Sequence, residues 1–212
     1  MITDTFGCKT ERSFRIDKRG FIPKTEKRSE VVRAAIELIA RHGYHGAPMA
    51  MIAERAGVGA GTIYRYFENK DVLIAELYRE LEERIHLKLL EGYDPEKPIR
   101  ERFIHLGTAL LRFFIDNPLD FRYLEQFHNS PYGVEHRRDK LLEKNKGIDS
   151  CSALFAEGVA QQVMKNLPLP VLFALAFGPL LSVARDHNCG FFRLDDGLIR
   201  QSVEACWDGI RR

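Results

Sequence analysis

Apolar residues along this chain recur every three to four positions, the spacing that gathers them on one face of a helix. From Lys24 to His42 the inner stripe is Val32, Ala35, Ile36 and Ile39, with Thr25 as cap, Arg28 and Arg33 outside, and Gly43 as the stop. Met49, Ile52, Ala53 and Ala56 give a second, short helix. Gly57 ends it, because a glycine takes positive φ at little cost. Val58 plugs the turn, and a third helix of about two turns is expected to open at Gly59, with Ala60 as the alternative, and to keep Ile63 and Phe67 inward. Asn69 reads as the N-cap of a fourth helix running from Asp71 to about Gly92, with Leu73, Leu77, Leu81, Ile85 and Leu89 at intervals of four. At 1.5 Å per residue that is a rod of roughly 33 Å.

The pattern continues without a strand. Tyr93 to Pro98 is a turn, Ile99 to Asp116 a helix, and Asn117-Pro118 a break. Leu119 to His128 is short and aromatic, and Asn129-Ser130-Pro131 stops it. Val134 to Val163 reads as helix, in one piece or split near Gly147. Leu167 to Ala184 is an uncharged run at the lower length limit for a membrane span; Pro168, Pro170, Pro179 and Gly178 argue against a span. A helix apolar all round is otherwise buried on all sides. In so short a chain, that places one face on its own core and another on a second subunit. Asp195 to Ile210 closes the chain. Leu172, Leu175, Leu180, Val183, Leu198 and Trp207 are therefore the expected dimer interface, built from the last two helices and their symmetry mates. The fold class is all-α. The expected division is a flexible extension over 1–23, a helix-turn-helix domain over 24–70 and a helical effector-binding and dimerisation domain over 71–212.

The third helix carries the chemistry. With Ile63 and Phe67 inward, Ala60, Gly61, Thr62, Arg65 and Tyr66 point away from the core. Small residues at its start and hydroxyl, guanidinium and phenol groups on its outer face suit the DNA major groove. Lys70 falls in the first turn of the fourth helix, where the helix dipole disfavours a cation. A DNA phosphate beside it, held also by free N–H groups, would account for that position; a solvated lysine is the plainer alternative.

Gly43-Tyr44, Met49, Ile52-Ala53, Ala56-Gly57-Val58, Gly61-Thr62-Ile63-Tyr64, Tyr66-Phe67, Asn69-Lys70 and Leu73 resemble the TetR family of repressors in order, spacing and type. The resemblance covers about Val31 to Leu77. It implies that Thr62, Tyr64, Tyr66 and Lys70 stand where family members touch the DNA backbone, and that Ala60, Gly61 and Arg65 stand where they face the bases. Two positions depart from the family pattern. Ala47-Pro48 replaces the usual Ser or Thr, leaving Pro48 at the DNA-facing start of the first of these helices, and Gly59 replaces a polar cap. The resemblance also implies a homodimer on a palindromic double-stranded DNA operator, released when an effector favours a conformer whose recognition helices are wrongly spaced.

Charge agrees with that division. Residues 1–70 hold thirteen Lys/Arg against eight Asp/Glu, a net +5, while the whole chain is +2. A basic N-terminal third on a mildly acidic remainder fits a nucleic-acid reader joined to something else. Arg12, Arg15, Lys18 and Arg19 form either a basic arm that reaches DNA or an unneeded tail. The four cysteines, Cys8, Cys151, Cys189 and Cys206, form no CxxC pair, and the N-terminus lacks the apolar core of a secretory signal. Free thiols in a cytoplasmic compartment are expected. His187 and Cys189 are too few for a metal site, so no metal and no cofactor are expected.

The second domain is rich in phenylalanine. Phe103, Leu106, Leu110, Phe113, Tyr123, Phe127, Phe155 and Phe177 are the expected lining of a pocket for a small hydrophobic effector, with Tyr123 and His105 among the groups that could orient it. For any one of them, core packing is the alternative. The reading is a DNA-binding transcriptional regulator, a repressor released by a hydrophobic ligand. An effector-independent DNA organiser, or a redox- or metal-responsive regulator, is the alternative. No phosphate loop, nucleophile elbow or metal-ligand series suggests an enzyme.

Overall fold

The computed structural model describes residues 24–142 and 150–212, with side chains over 26–138 and 151–212. The N-terminal extension with its basic arm, Cys8 and the split near Gly147 lie outside these residues, and the Thr25 side chain expected as a cap lies outside the described side chains. Ten helices follow one another among the described residues: α1 (Lys24–His42), α2 (Met49–Arg55), α3 (Ala60–Ile63), α4 (Lys70–Leu90), α5 (Ile99–Asp116), α6 (Pro118–His128), α7 (Pro131–Leu142), α8 (Ser150–Ala160), α9 (Leu169–Asn188) and α10 (Asp196–Ile210). No strand occurs among the described residues; an isolated bridge joins Met164 to Arg211.

Local chemistry sets the boundaries. Gly43 and Gly57, at φ +68° and +66°, end α1 and α2 in the left-handed region. Asn69 caps α4 by accepting from Val72 N at 2.9 Å, and Asp195 caps α10 by accepting from Leu198 N at 2.8 Å. Pro98, Asn117 and Pro168 stand at the N-caps of α5, α6 and α9 without a side-chain cap bond.

α1 to α3 share a core of Val31, Ala35, Ile39, Ile52, Ile63 and Phe67, all fully buried. Leu73 and Leu77 of α4 belong to the same continuous core, which runs on through α5. α5 is the central strut: it packs against α4, α6, α8, α9 and α10. α1 lies along α6, so the N-terminal helices rest directly on the C-terminal bundle. Charged pairs tie that junction. Arg28 of α1 reaches Glu76 at 2.6 Å and Glu80 at 2.5 Å on α4. Arg84 of α4 makes a bidentate bridge to Asp120 of α6 at 2.8 and 2.9 Å, with the carboxylate largely buried. Arg102 of α5 is itself buried and donates to Tyr93 Oη at 2.9 Å and to Glu157 of α8 at 2.6 Å.

The apolar run became α9, long and apolar enough to cross a membrane by length and composition. Pro179 lies inside it. Its faces differ. Leu172, Ala176, Leu180 and Ala184 point into the protomer, while Leu169, Val171 and Leu175 are exposed. This corrects part of the expected interface. Leu172, Leu180 and Trp207 are 1%, 0% and 4% exposed within one protomer, so they cannot meet a partner; they brace the face from behind. Leu175 and Leu198 are exposed and Val183 is half-buried.

Candidate nucleic-acid interface

The helix-turn-helix is built by a few backbone bonds. Gly57 N donates to Glu54 O at 3.0 Å and Val58 N to Ala53 O at 2.9 Å, which folds the turn back on α2. Gly59 is extended, at φ −64° and ψ 147°, and starts α3 without a side-chain cap. Pro48 is also extended and is the N-cap of α2; the first helical residue is Met49, one position later than the proline suggests. The third helix is shorter than the sequence suggests. After Ile63 the chain tightens into turns, with Arg65 N on Thr62 O at 3.1 Å and Tyr66 N on Ile63 O at 3.0 Å. Phe67 N on Ile63 O at 3.0 Å restores the helical spacing and brings Phe67 inward.

This geometry sorts the side chains. Ile63 and Phe67 are fully buried. Pro48, Ala60, Gly61, Tyr64 and Arg65 are exposed, and Thr62 is half-buried. A methyl built on Gly61 would meet nothing within 4 Å, so that surface is open to a close-approaching backbone or base. Arg65 has no ion pair among the described residues. Tyr66 corrects the expectation that it points wholly outward. It is half-buried and packs against the core.

Lys70 is half-buried at the first turn of α4, and its ammonium donates to the carbonyl of Tyr44 in the α1–α2 turn. Burial lowers its pKa, with Asp71 opposing. The next residue, Asp71, accepts from the Tyr132 hydroxyl of α7 at 2.6 Å. Tyr132 in turn lies 5.5 Å, ring to ring, from Tyr44. The α1–α2 turn, the α4 N-terminus and α7 are thus tied at one point. Burial pushes the Tyr44 phenol above its ordinary pKa, and its oxygen has no hydrogen-bond partner among the described residues. Sequence reasoning missed the Tyr132–Asp71 contact, as well as Arg28–Glu80 and Arg84–Asp120. Each joins residues 36 to 61 positions apart on different helices, which no local period reports.

The eight residues expected to line a pocket sit in the core as separate groups. Phe103, Phe155 and Phe177 cluster with Phe173 and Trp207. Tyr123 and Phe127 join Tyr78, whose ring stacks on Phe127 at 3.8 Å. Phe113 meets Phe114, which continues to Phe121. Leu106 is fully buried and Leu110 half-buried. The Tyr123 hydroxyl already donates to Ile74 O at 2.9 Å, and His105 Nε2 lies 3.1 Å from Leu89 O. None of the eight lines the cleft between α1, α4 and α6, or the clefts beside Tyr93 and Lys165. Among the described residues no group of three or more His, Cys, Asp or Glu could hold a metal ion.

A short exposed helix seated on Ile63 and Phe67, set by a glycine turn against α2 and joined by α4 to a helical bundle, defines a helix-turn-helix transcriptional regulator. The comparisons agree. Residues 31–77 match the model of bacterial regulatory proteins of the tetR family, and residues 98–211 match a tetracyclin repressor-like C-terminal domain. The chain belongs to the TetR family. It is similar to an uncharacterized HTH-type transcriptional regulator of Haemophilus influenzae, 26% identical over 191 residues that cover 89% of this chain and 98% of that protein. A putative TetR-family regulator from Vibrio parahaemolyticus superposes with a TM-score of 0.69 at 31% identity, covering 88% of this chain and 99% of the other. The fatty acid metabolism regulator protein of Bacillus subtilis is 44% identical over 57 residues, 27% of this chain and 29% of that protein.

Proposed function

We propose that the chain works as a cytoplasmic homodimer that represses transcription from a palindromic double-stranded DNA operator and is released by a small hydrophobic effector. In this reading 24–70 is the DNA-binding domain and 71–212 the effector and dimerisation domain. The observation that carries DNA reading is the exposed, unpaired Arg65 beside the open Gly61, on a turn anchored by fully buried Ile63 and Phe67. A guanidinium so placed can contact guanine bidentately. Pro48, Ala60, Thr62, Tyr64, Tyr66 and Lys70 are assigned the surrounding contacts, with Lys70 exchanging its Tyr44 carbonyl for a phosphate. Dimerisation is supported by the exposed apolar residues Val171 and Leu175 of α9 and Leu198 of α10. A closed two-fold pair would bury them and present two recognition helices to two half-sites.

The effector acts by population shift: a ligand that prefers the conformer with misplaced recognition helices weakens operator binding by its differential affinity. A second reading, an effector-independent organiser, is favoured by the tight packing of the aromatic clusters, which fill the site expected for the ligand. The deciding experiment is selection and sequencing of genome fragments retained by the purified protein at moderate salt. An enriched palindrome supports the regulator, and retention with no common sequence refutes it in favour of the organiser. On the selected operator, Arg65→Ala should relax specificity at one base pair per half-site, for a loss of about 1–3 kcal/mol on the cognate sequence. Lys70→Ala should weaken every sequence alike and flatten the salt dependence. Equal losses on all sequences from both changes would sink this division of roles.

A further inference from the structure

Two arginines join the helices where α1, α4 and α6 meet, and they do so differently. Arg84 of α4 donates through both Nη1 and Nη2 to the two oxygens of Asp120 on α6, at 2.8 and 2.9 Å. Paired bonds of this kind fix angle as well as distance, and that carboxylate is 10% exposed. Arg28 of α1 instead offers one nitrogen, Nη2, to two carboxylates, Glu76 at 2.6 Å and Glu80 at 2.5 Å. These stand four residues apart on α4, about 6 Å along its axis. The three side chains are 34%, 29% and 32% exposed, so water can replace either partner at small cost. The α4–α6 joint is rigid; the α1–α4 joint has two seats for one guanidinium.

The surroundings of α1 suit a movement between those seats. Just past its C-terminal end, the carbonyl of Tyr44 accepts from Lys70, the first residue of α4. Beside Glu80, a cleft of about 600 Å³ lies between α1, α4 and α6. Val31 of α1 shares its core with Ile52, Ile63 and Phe67, and the Arg28 guanidinium lies 5.2 Å from the centre of the Phe67 ring. We propose that Arg28 is a two-position swivel. α1 pivots at the Tyr44–Lys70 contact, and its N-terminal end seats on Glu76 in one setting and on Glu80 in the other. Because α1 carries α2 and α3 with it, each setting gives the recognition helix its own angle to the bundle. A duplex that fits one angle selects that setting. This consequence for DNA rests on the regulator reading above; the swivel itself does not.

The test is a distance between nitroxide labels, measured by pulsed electron–electron resonance in the full-length chain. The labels sit at Glu26→Cys, exposed near the start of α1, and at His86→Cys, exposed beyond Glu80 on α4. The chain also carries Cys8→Ala, Cys151→Ala, Cys189→Ala and Cys206→Ala, and excess unlabelled chain restricts the signal to distances within one chain. Glu80→Gln should seat Arg28 on Glu76 and lengthen the distance, and Glu76→Gln should seat it on Glu80 and shorten it. Each shift should reach about 3 Å, half the rise between the seats. In an Arg28→Met background neither change should move the distance. Unchanged circular dichroism and melting temperature establish that the variants fold. Shifts of the same sign, no shift, or a shift that survives Arg28→Met overturns the swivel. Affinity for the selected operator is measured in parallel. The two glutamine variants should move it in opposite directions by about two- to fivefold, the reach of one part-exposed ion pair. Loss of acidic charge alone would strengthen both, and that result, or equal affinities beside opposite distance shifts, refutes the role in DNA reading. Operator binding without any distance shift refutes the swivel and leaves the regulator standing. If no operator binds, the regulator reading fails on its own while the distances still decide the swivel.

Discussion

Gly107→Ala tests the close crossing of α5 with α10. Gly107 is buried on α5, and a methyl added there would stand 2.6 Å from Val203 Cγ1, 3.3 Å from Val203 Cγ2 and 3.5 Å from Leu180 Cδ1. Val203 is fully buried and β-branched, so it cannot swing aside. Overpacking of this kind costs about 1–3 kcal/mol, against which alanine gains about 1 kcal/mol over glycine in a helix. The net expectation is a loss of about 1 kcal/mol, or a fall of roughly 2–4 °C in Tm for a chain of this size. Urea unfolding at one fixed protein concentration measures it, since self-association as proposed above would make stability concentration-dependent. Val203→Ala alone should cost about 2 kcal/mol through the cavity it leaves. In the double variant the new methyl occupies part of that cavity, so the combined loss should fall short of the sum by about 1 kcal/mol. Stabilisation by Gly107→Ala, as at an uncrowded helical glycine, or strict additivity with Val203→Ala, would refute the crossing.

Three further outcomes follow from the geometry. Asn69→Ala removes the acceptor for Val72 N and should lower stability by about 1 kcal/mol in chemical denaturation, whereas Asn69→Ser should recover most of it. Tyr132→Phe deletes the hydroxyl on Asp71 and should cost about 1 kcal/mol; the same cost in an Asp71→Ala background would show that the two do not interact. Leu175→Glu places a charge on the exposed apolar face of α9 and should yield folded monomers in sedimentation velocity. A dimer that persists would move the interface elsewhere.

What the sequence disclosed and what it concealed divide by distance along the chain. The stops at Gly43 and Gly57 and the cap at Asn69 were legible because each acts within four residues. Ile63 and Phe67 were legible because a period of four puts both on one face. The length of α3 was not, since 3₁₀-type bonds after Thr62 and Ile63 preserve that spacing while ending the regular helix. α9 shows a different failure. With apolar residues on every side, its pattern has no polar face to break the tie, so inward Leu172 and Leu180 were grouped with outward Leu175. The aromatic residues posed the same problem. A phenylalanine that lines a cavity and one that fills it have the same neighbours in sequence. The α1–α4–α6 cleft was invisible for the opposite reason: its ion pairs link helices that only the tertiary fold brings together.

The brevity of α3 bears on how recognition is distributed in time and energy. One helical turn over Ala60–Ile63 has far too few internal bonds to persist in water alone. It is held by Ile63 and Phe67 beneath it, while its outer backbone has little to restrain it. Amides there would exchange through local opening rather than through unfolding of the whole chain. A matching duplex would complete the ordering of that turn, and a mismatched one would leave part of it loose. Discrimination between sequences would then register as a difference in heat capacity and in amide protection, as well as in which bases Arg65 can reach.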